Sequence, residues 1–233
     1  MSTIPSPVPV TAPVLSRRLK RATVSVSLLM GLVVLYRRVV QPTYSRWGAT
    51  RDEVRRALPG DELIEKPVRV STRALTIHAP VSAVWPWVVQ IGQERGGLYS
   101  YESLENAIGC QISNADRIVQ EWQHPRPGDR VGLGPEGYPF FTVVDVQPER
   151  AFVLRAGDET YTGASWVFAL ESIDATHTRL IVRMRSAASR NAVESFFNDL
   201  LTPPLHFVME REMLHGIARR AEALAKEAAP VAM

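Results

Sequence analysis

The spacing of apolar residues changes period several times along the chain, and each change marks an element. Ala22 to Tyr36, ATVSVSLLMGLVVLY, holds no charge and lies between RRLKR and RR. Thr50-Arg-Asp-Glu53 has the pattern of a capping box, so a short helix is expected through Leu58, stopped by the Pro59-Gly60-Asp61 turn. Val68 to Ile77 is rich in β-branched residues, but its alternation slips: Val68 and Val70 share one face, Leu75 and Ile77 the other. A bulged or strongly bent first strand reconciles the two halves. Pro80 suits the start of a helix in which Val84, Trp87, Val88 and Ile91 form one face, and Pro86 predicts a kink or a short first turn. Ser103 to Ile108 reads as a second short helix.

From Pro139 the period falls to two. Phe140, Thr142, Val144 and Val146 make one strand face, followed by Phe152 with Leu154, then Trp166, Phe168 and Leu170, then Leu180, Val182 and Met184. Turns are expected at Gln147-Pro-Glu, Gly157-Asp-Glu and Asp174-Ala-Thr. This is the pattern of an antiparallel meander with one buried face, which puts Arg179, Arg183 and Arg185 on the solvent side of the last strand. A helix from about Pro204 to Lys226 closes the chain, with Leu205, Met209, Met213, Ile217, Ala221 and Leu224 as its apolar stripe. The expected class is therefore α+β. The economical packing lays the long helix across the concave face of a curved antiparallel sheet, and such an arrangement leaves room for a cavity between them.

Composition changes this picture mainly at the N-terminus. With 233 residues and 45% apolar content, the chain can bury one core and carry an appendage. Residues 1–56 have a charge balance of +8, whereas the remaining 177 residues carry −5. A mildly acidic body lacks the clustered cations that grip a phosphate backbone, so no nucleic-acid partner is expected. Cys110 is the only cysteine, which excludes an internal disulfide and a thiolate metal cluster; it reads as a small buried hydrophobe.

Residues 1–16, with Pro5, Pro7, Pro9 and Pro13, have the composition of a disordered tail. The fifteen uncharged residues that follow the first basic cluster would span only about 22 Å of a hydrocarbon core near 30 Å. Snorkelling arginines at both ends, with Val39 and Val40 beyond, extend that reach. Residues 17–40 are thus expected to form a single-pass anchor in contact with cell-membrane lipids. A cleaved signal peptide is the weaker reading, because Tyr36, Arg37 and Arg38 stand where small residues would be needed; a core helix would not begin and end in arginines. Four basic residues precede the apolar run and six lie in the twenty after it, a slight lean toward a cytoplasmic body. The expected organisation is a tail over 1–16, the anchor over 17–40, a linker with a short helix over 46–66, and a ligand-binding domain over 67–228.

Several short stretches carry a resemblance. They are P-x-x-x-V-W at Pro80 to Trp85, the W-P-W-V-V-Q-I-G-Q stretch continuing to R-G-G-L-Y-S-Y, A-D-R-I at Ala115 to Ile118, P-G-D-R at Pro127 to Arg130, and H-F-V-M-E-R at His206 to Arg211. With the order of elements, they make the chain similar to the START-like superfamily, and within it to bacterial SRPBCC proteins of the polyketide cyclase, dehydrase and lipid-transport branch. R-W-G-A-T and L-P-G-D-E-L, at Arg46 to Thr50 and Leu58 to Leu63, extend the resemblance over roughly residues 46 to 225. It implies a helix-grip fold with an internal cavity for a small hydrophobic or amphiphilic ligand. It does not choose an activity, because this fold hosts carriers, receptors and enzymes alike.

The sequence shows no metal-type grouping of His78, His124, His177, His206 and His215, no nucleotide loop and no hydrolase elbow. No metal and no cofactor are expected. Candidates for the ligand site are Trp87, Tyr99, Tyr101, Glu102, Asp116, Trp166, His206 and Glu210. None is assigned a catalytic role. Set against the ligand roles are plainer ones: Glu102 with Glu105 as one solvated helix face, Asp116 with Arg117 as a local ion pair, Glu210 and Arg211 as helix surface, His206 as a core-edge residue paired with Glu210. Two functions follow, a membrane-anchored carrier of a lipid-like or polyketide-like molecule, or a cyclase, aromatase or dehydratase using Tyr, Glu and His in acid–base steps. A membrane-bound interaction domain without a ligand is a third. The absence of a convergent acid–base set in the sequence favours the carrier.

Overall fold

The computed structural model describes residues 23–25, 27, 28, 30–156, 163–187 and 192–228, with side chains from 202 onward in the last stretch. The tail over 1–16, residues 17–22 of the anchor and the Gly157-Asp-Glu turn lie outside the described residues. The chain divides into two compact units, Met1–Thr43 and Tyr44–Met233.

Within the first unit the helix that begins at Thr23 leaves Leu28, Leu32 and Leu35 more than half exposed. The whole helix, Thr23–Ser45, has 23 residues and is long and apolar enough to cross a bilayer. At 1.5 Å per residue it measures about 35 Å. It continues through Arg37 and Arg38 as a π-helical stretch, Tyr36–Val40, which lengthens the segment beyond the uncharged fifteen residues.

The second unit is built on one sheet of six strands. These are β1 (Arg69–Ile77), β2 (Arg130–Gly132), β3 (Phe140–Gln147), β4 (Ala151–Ala156), β5 (Ala164–Asp174) and β6 (His177–Ser186). Their order is β1-β6-β5-β4-β3-β2, antiparallel at every pairing. Among the described residues the sheet is accompanied by the α-helices α1 (Arg51–Arg55) before β1, α2 (Val81–Val89) and α3 (Glu102–Ala107) between β1 and β2, and α4 (Ala192–Ala228) after β6. Inner-face residues Phe152, Leu154, Trp166, Phe168, Leu180 and Val182 share one core with Val84, Trp87 and Val88 of α2 and Met213, Leu214 and Ile217 of α4. Burying such side chains fully is worth roughly 1.5–3 kcal/mol each, which makes this the main source of stability.

β1 corrects the expected bulge. It pairs with β6 without a slip, from Arg69 opposite Ser186 to Ile77 opposite Thr178. The alternation looked broken because an inner position is held by the cation Arg73, while Thr72 and Ala74 on the other face are also buried. The bulge falls in β3 instead, between Val143 and Asp145. Ahead of it the buried residues are Phe141 and Val143, so Phe140 and Thr142 do not face the core; beyond it Val146 does. In α2 the helix runs on through Pro86. The last helix starts at Ala192, twelve residues before the expected Pro204, and carries Pro203 and Pro204 inside it.

The outer face of the sheet is covered as well. Leu58 and Ala49 pack on Ala74, Ala169 and Ile181, while Leu63 packs on Val153 and Val167. Gly60, at φ 82, lies against the Val153 side chain where a Cβ would collide. The arginines expected in solvent therefore lie under this layer. Arg183, only 2% exposed, donates to the carbonyls of Glu53 and Arg56 at 2.6 and 2.9 Å and to Asp61 at 2.6 Å. Arg179 grips Glu53 through two bonds of 2.7 and 2.9 Å, and Arg185 donates to the Ile64 carbonyl at 3.0 Å. Thr50 and Glu53 complete the capping box that begins α1. Residues 46–66 are thus an outer layer of the domain.

Candidate functional site

Between the inner face of the sheet and α4 lies a half-open cavity of about 400 Å³. Its floor is Phe141 of β3, Trp166 of β5 and Met184 of β6, and its roof is Met209 and Met213 of α4. Leu98 and Leu133 close one side, Ile108 and Cys110 another. Ile108 and Leu205 stand at its rim, 68% and 57% exposed, so Leu205 is not the buried stripe residue its spacing predicted. The wall is nearly all hydrocarbon and thioether, in a volume within the roughly 300–1,000 Å³ of small-molecule sites.

Few polar groups reach this space, and they differ in how they are satisfied. Glu210 is 3% exposed and not helix surface. Its carboxylate accepts from Arg73 Nη1 of β1 and, at 3.1 Å, from the Trp166 indole. Arg73 also donates through Nε to the Tyr44 carbonyl at 2.9 Å. His206 does not bond Glu210 directly. Its Nδ1 lies 3.4 Å from Arg73 Nη1. A guanidinium only donates, so Nδ1 is the acceptor and the ring is neutral with its proton on Nε2. Burial holds the imidazole below its ordinary pKa, against the pull of Glu210 and with the push of Arg73 and Arg69.

Glu105 is the exception. It is 4% exposed, lines the cavity, and neither carboxyl oxygen has a hydrogen-bond partner among the described residues. The expectation of a solvated Glu102–Glu105 face is therefore corrected. Burial, with a smaller contribution from Glu102, pushes its pKa from 4.5 up to about 7. Cys110, 8% exposed beside it, has a thiol raised above its usual range by burial and then by Glu105.

Local bonds hold this corner in place. Asn106 exchanges two bonds with the Ile112 backbone, at 2.8 and 2.7 Å, and Cys110 N–H donates to the Glu105 carbonyl at 3.1 Å. The hydroxyl of Ser100 donates to the Met209 carbonyl at 3.0 Å, tying the loop to α4. The glycine-rich stretch before it forms a small hairpin: Gly92 and Gly97 bond reciprocally at 2.8 and 2.9 Å, and Gln93 N–H donates to Gly132 at 2.8 Å.

Of the residues singled out from the sequence, Trp166, His206 and Glu210 meet in the cavity. The other five do not line it. Tyr99 and Trp87 are core, 1% and 3% exposed, their rings 5.9 Å apart with Arg220 over the Tyr99 ring at 4.9 Å. Burial raises the Tyr99 phenol pKa. Tyr101 is 41% exposed, Asp116 is exposed, and Glu102 is an exposed brace that accepts from Asn114 N–H at 2.6 Å. Arg73 and Glu105 were missed. The signal for Glu105 was a local inversion, with Leu104 and Ile108 exposed and the acid between them buried. Among the described residues no three His, Cys, Asp or Glu side chains are grouped as a metal ion would need.

Strand, two short helices, antiparallel strands and one long helix over the inner face: this order, seen in the coordinates, decides the architecture. The fold is a helix grip, one long helix laid over the inner face of an antiparallel sheet. Solved structures similar to the chain include a polyketide-cyclase-like protein from Corynebacterium glutamicum, 17% identical, TM-score 0.33, covering 68% of this chain and 90% of its own. CalU16 from Micromonospora echinospora is 16% identical, TM-score 0.33, covering 73% and 92%. Protein Ms6760 from Mycobacterium smegmatis is 16% identical, TM-score 0.38, covering 69% and 92%. Likenesses this distant say nothing about ligand or activity. No protein-family model matches the chain, and no curated protein does.

Proposed function

We propose that the chain is a membrane-anchored START-like domain that holds a small hydrophobic or amphiphilic molecule in the cavity between sheet and α4. The observation that carries this reading is the cavity itself, about 400 Å³ walled by Phe141, Trp166, Met184, Met209 and Met213. An apolar concave space of this size, with few polar groups in its lining, is in keeping with a small-molecule occupant. The helix Thr23–Ser45, long and apolar enough to cross a bilayer, supports a single-pass tether to the cell membrane, and the slight excess of basic residues after the apolar run favours a domain on the cytoplasmic side. Native mass spectrometry of the chain released from mild detergent tests the carrier: a co-purified small molecule should leave unchanged, and Met209→Trp, which fills the cavity, should emerge empty. A wild-type chain that carries nothing and takes up no amphiphile overturns it.

One observation favours the enzyme as a second reading. An unpartnered carboxyl with a pKa of about 7 in an apolar cavity is in the state that general acid–base catalysis uses. The same experiment separates the two readings. A bound molecule chemically altered by wild type and left intact by Glu105→Gln supports turnover.

A further inference from the structure

We propose that Glu105 is the recognition group for a cationic head, and that the cavity takes an apolar amine, its ammonium on Glu105 and its hydrocarbon against the methionines. This rests on the cavity being a ligand site and names the class of ligand. Two carboxylates line the space, and they are not equivalent. Glu210 is already satisfied, by Arg73 and by the Trp166 indole, and so joins sheet to helix without needing a ligand. Glu105 has two buried acceptor oxygens without a hydrogen-bond partner among the described residues. A buried acceptor left without a donor is unstable, which makes this the place where an incoming donor gains most.

Charge selects the kind of donor. The groups acting on Glu105 are Glu102 of its own helix and Cys110, and neither supplies a positive charge. From α4, His206 and Glu210 line the same cavity. Among the described residues the cations that act on His206 are Arg73 and Arg69 of β1, and Arg73 is engaged with Glu210, His206 and Tyr44. Among the described residues no counter-charge acts on the ionised form of Glu105, and an ammonium provides both the charge and the hydrogens. Phe141 and Trp166, their rings 5.4 Å apart, line the same space, and an aromatic face attracts a cation and repels a carboxylate.

pH reports the interaction. An alkylammonium stays charged to about pH 10, as a lysine does. The step that limits its binding is loss of the Glu105 proton, at about 7. His206, held down by burial, is already neutral there, and Cys110, pushed up, keeps its proton. Octylamine affinity should rise about tenfold between roughly pH 6 and pH 8, whereas octanol affinity should not.

The test is calorimetric titration of the full chain in phosphatidylcholine nanodiscs with octylamine, octanol and octanoate, against empty nanodiscs. At about pH 8 the amine should bind at least about tenfold more tightly than the alcohol, and octanoate most weakly. Glu105→Gln should remove both the gap and the pH dependence, with thermal unfolding confirming that the variant is folded. Equal binding of amine and alcohol, a preference for octanoate, or a pH dependence that survives in Glu105→Gln overturns the proposal while leaving the cavity reading intact. If none of the three probes binds, both fall.

Discussion

Arg73 of β1 and Glu210 of α4 form an ion pair whose side chains are 2% and 1% exposed. It crosses from the sheet to the helix at the wall of the cavity, where water cannot replace either partner. Glu210→Ala is expected to lower stability by about 3–5 kcal/mol, because it leaves an uncompensated buried guanidinium. Replacing both together, with Arg73→Met and Glu210→Leu, should recover most of that loss. Urea unfolding of the three proteins checks this, and a double variant as weak as the single one would contradict it.

Glu105 predicts a different pH response from an ordinary surface acid. Its folded-state pKa, about 7, lies above its ordinary 4.5. The folded chain therefore binds the extra proton between those values, so its stability falls as pH rises through the window and stays flat above it. Glu105→Gln removes that liability. At about pH 8 the variant should be more stable by roughly 2–3 kcal/mol, and the two proteins should converge near pH 4.5. Melting temperatures across pH give the answer.

Glu53 behaves in the opposite sense. The hydrogen bonds from Arg179 hold its pKa down at about 2 against the cost of burial, with Thr50 contributing. Its stabilisation is fully present above 4.5 and is lost as pH falls through about 2. Arg179→Met should cost about 2–3 kcal/mol at neutral pH and progressively less in acid, measured by denaturant unfolding at several pH values.

Gly216 reverses the usual rule for a glycine inside a helix. Replacing such a glycine by alanine ordinarily gains about 1 kcal/mol. Here a Cβ would collide with the Tyr99 carbonyl oxygen. Gly216→Ala is expected to destabilise by about 1–3 kcal/mol through overpacking. A raised melting temperature would show that the loop yields.

The N-terminal helix makes a cellular prediction. The full chain should stay with membranes through alkaline carbonate extraction, and a chain lacking residues 1–43 should move to the soluble fraction. A full chain that is extracted, or one shortened at its N-terminus in cells, argues for the signal-peptide alternative.

Much of the fold was readable from periodicity, because alternation and helical stripes record which side is buried. Phe152, Leu154, Trp166 and Phe168 were placed on the inner face and lie there. The failures have one cause: a pattern of apolar against polar assumes that polar means solvent. Arg183 is polar and 2% exposed, since a segment more than a hundred residues earlier covers it. Glu105 is acidic and buried between exposed Leu104 and Ile108, so the site's most informative side chain looked like surface. Trp166, His206 and Glu210 were within reach of sequence reasoning because they sit on or beside regular stripes. Arg73, which joins them, was hidden in a strand whose phase it disturbed.

The outer arginines bear on how this chain can vary. Arg179, Arg183 and Arg185 reach the backbone carbonyls of Gly48, Glu53, Val54, Arg56 and Ile64 as well as side chains. A carbonyl is the same whatever residue bears it. Side chains that point away from the sheet in this covering layer are therefore free to drift over evolutionary time. The three arginines are not, because only a planar fork of five donors serves so many acceptors at once, and lysine at these positions would leave several of them bare.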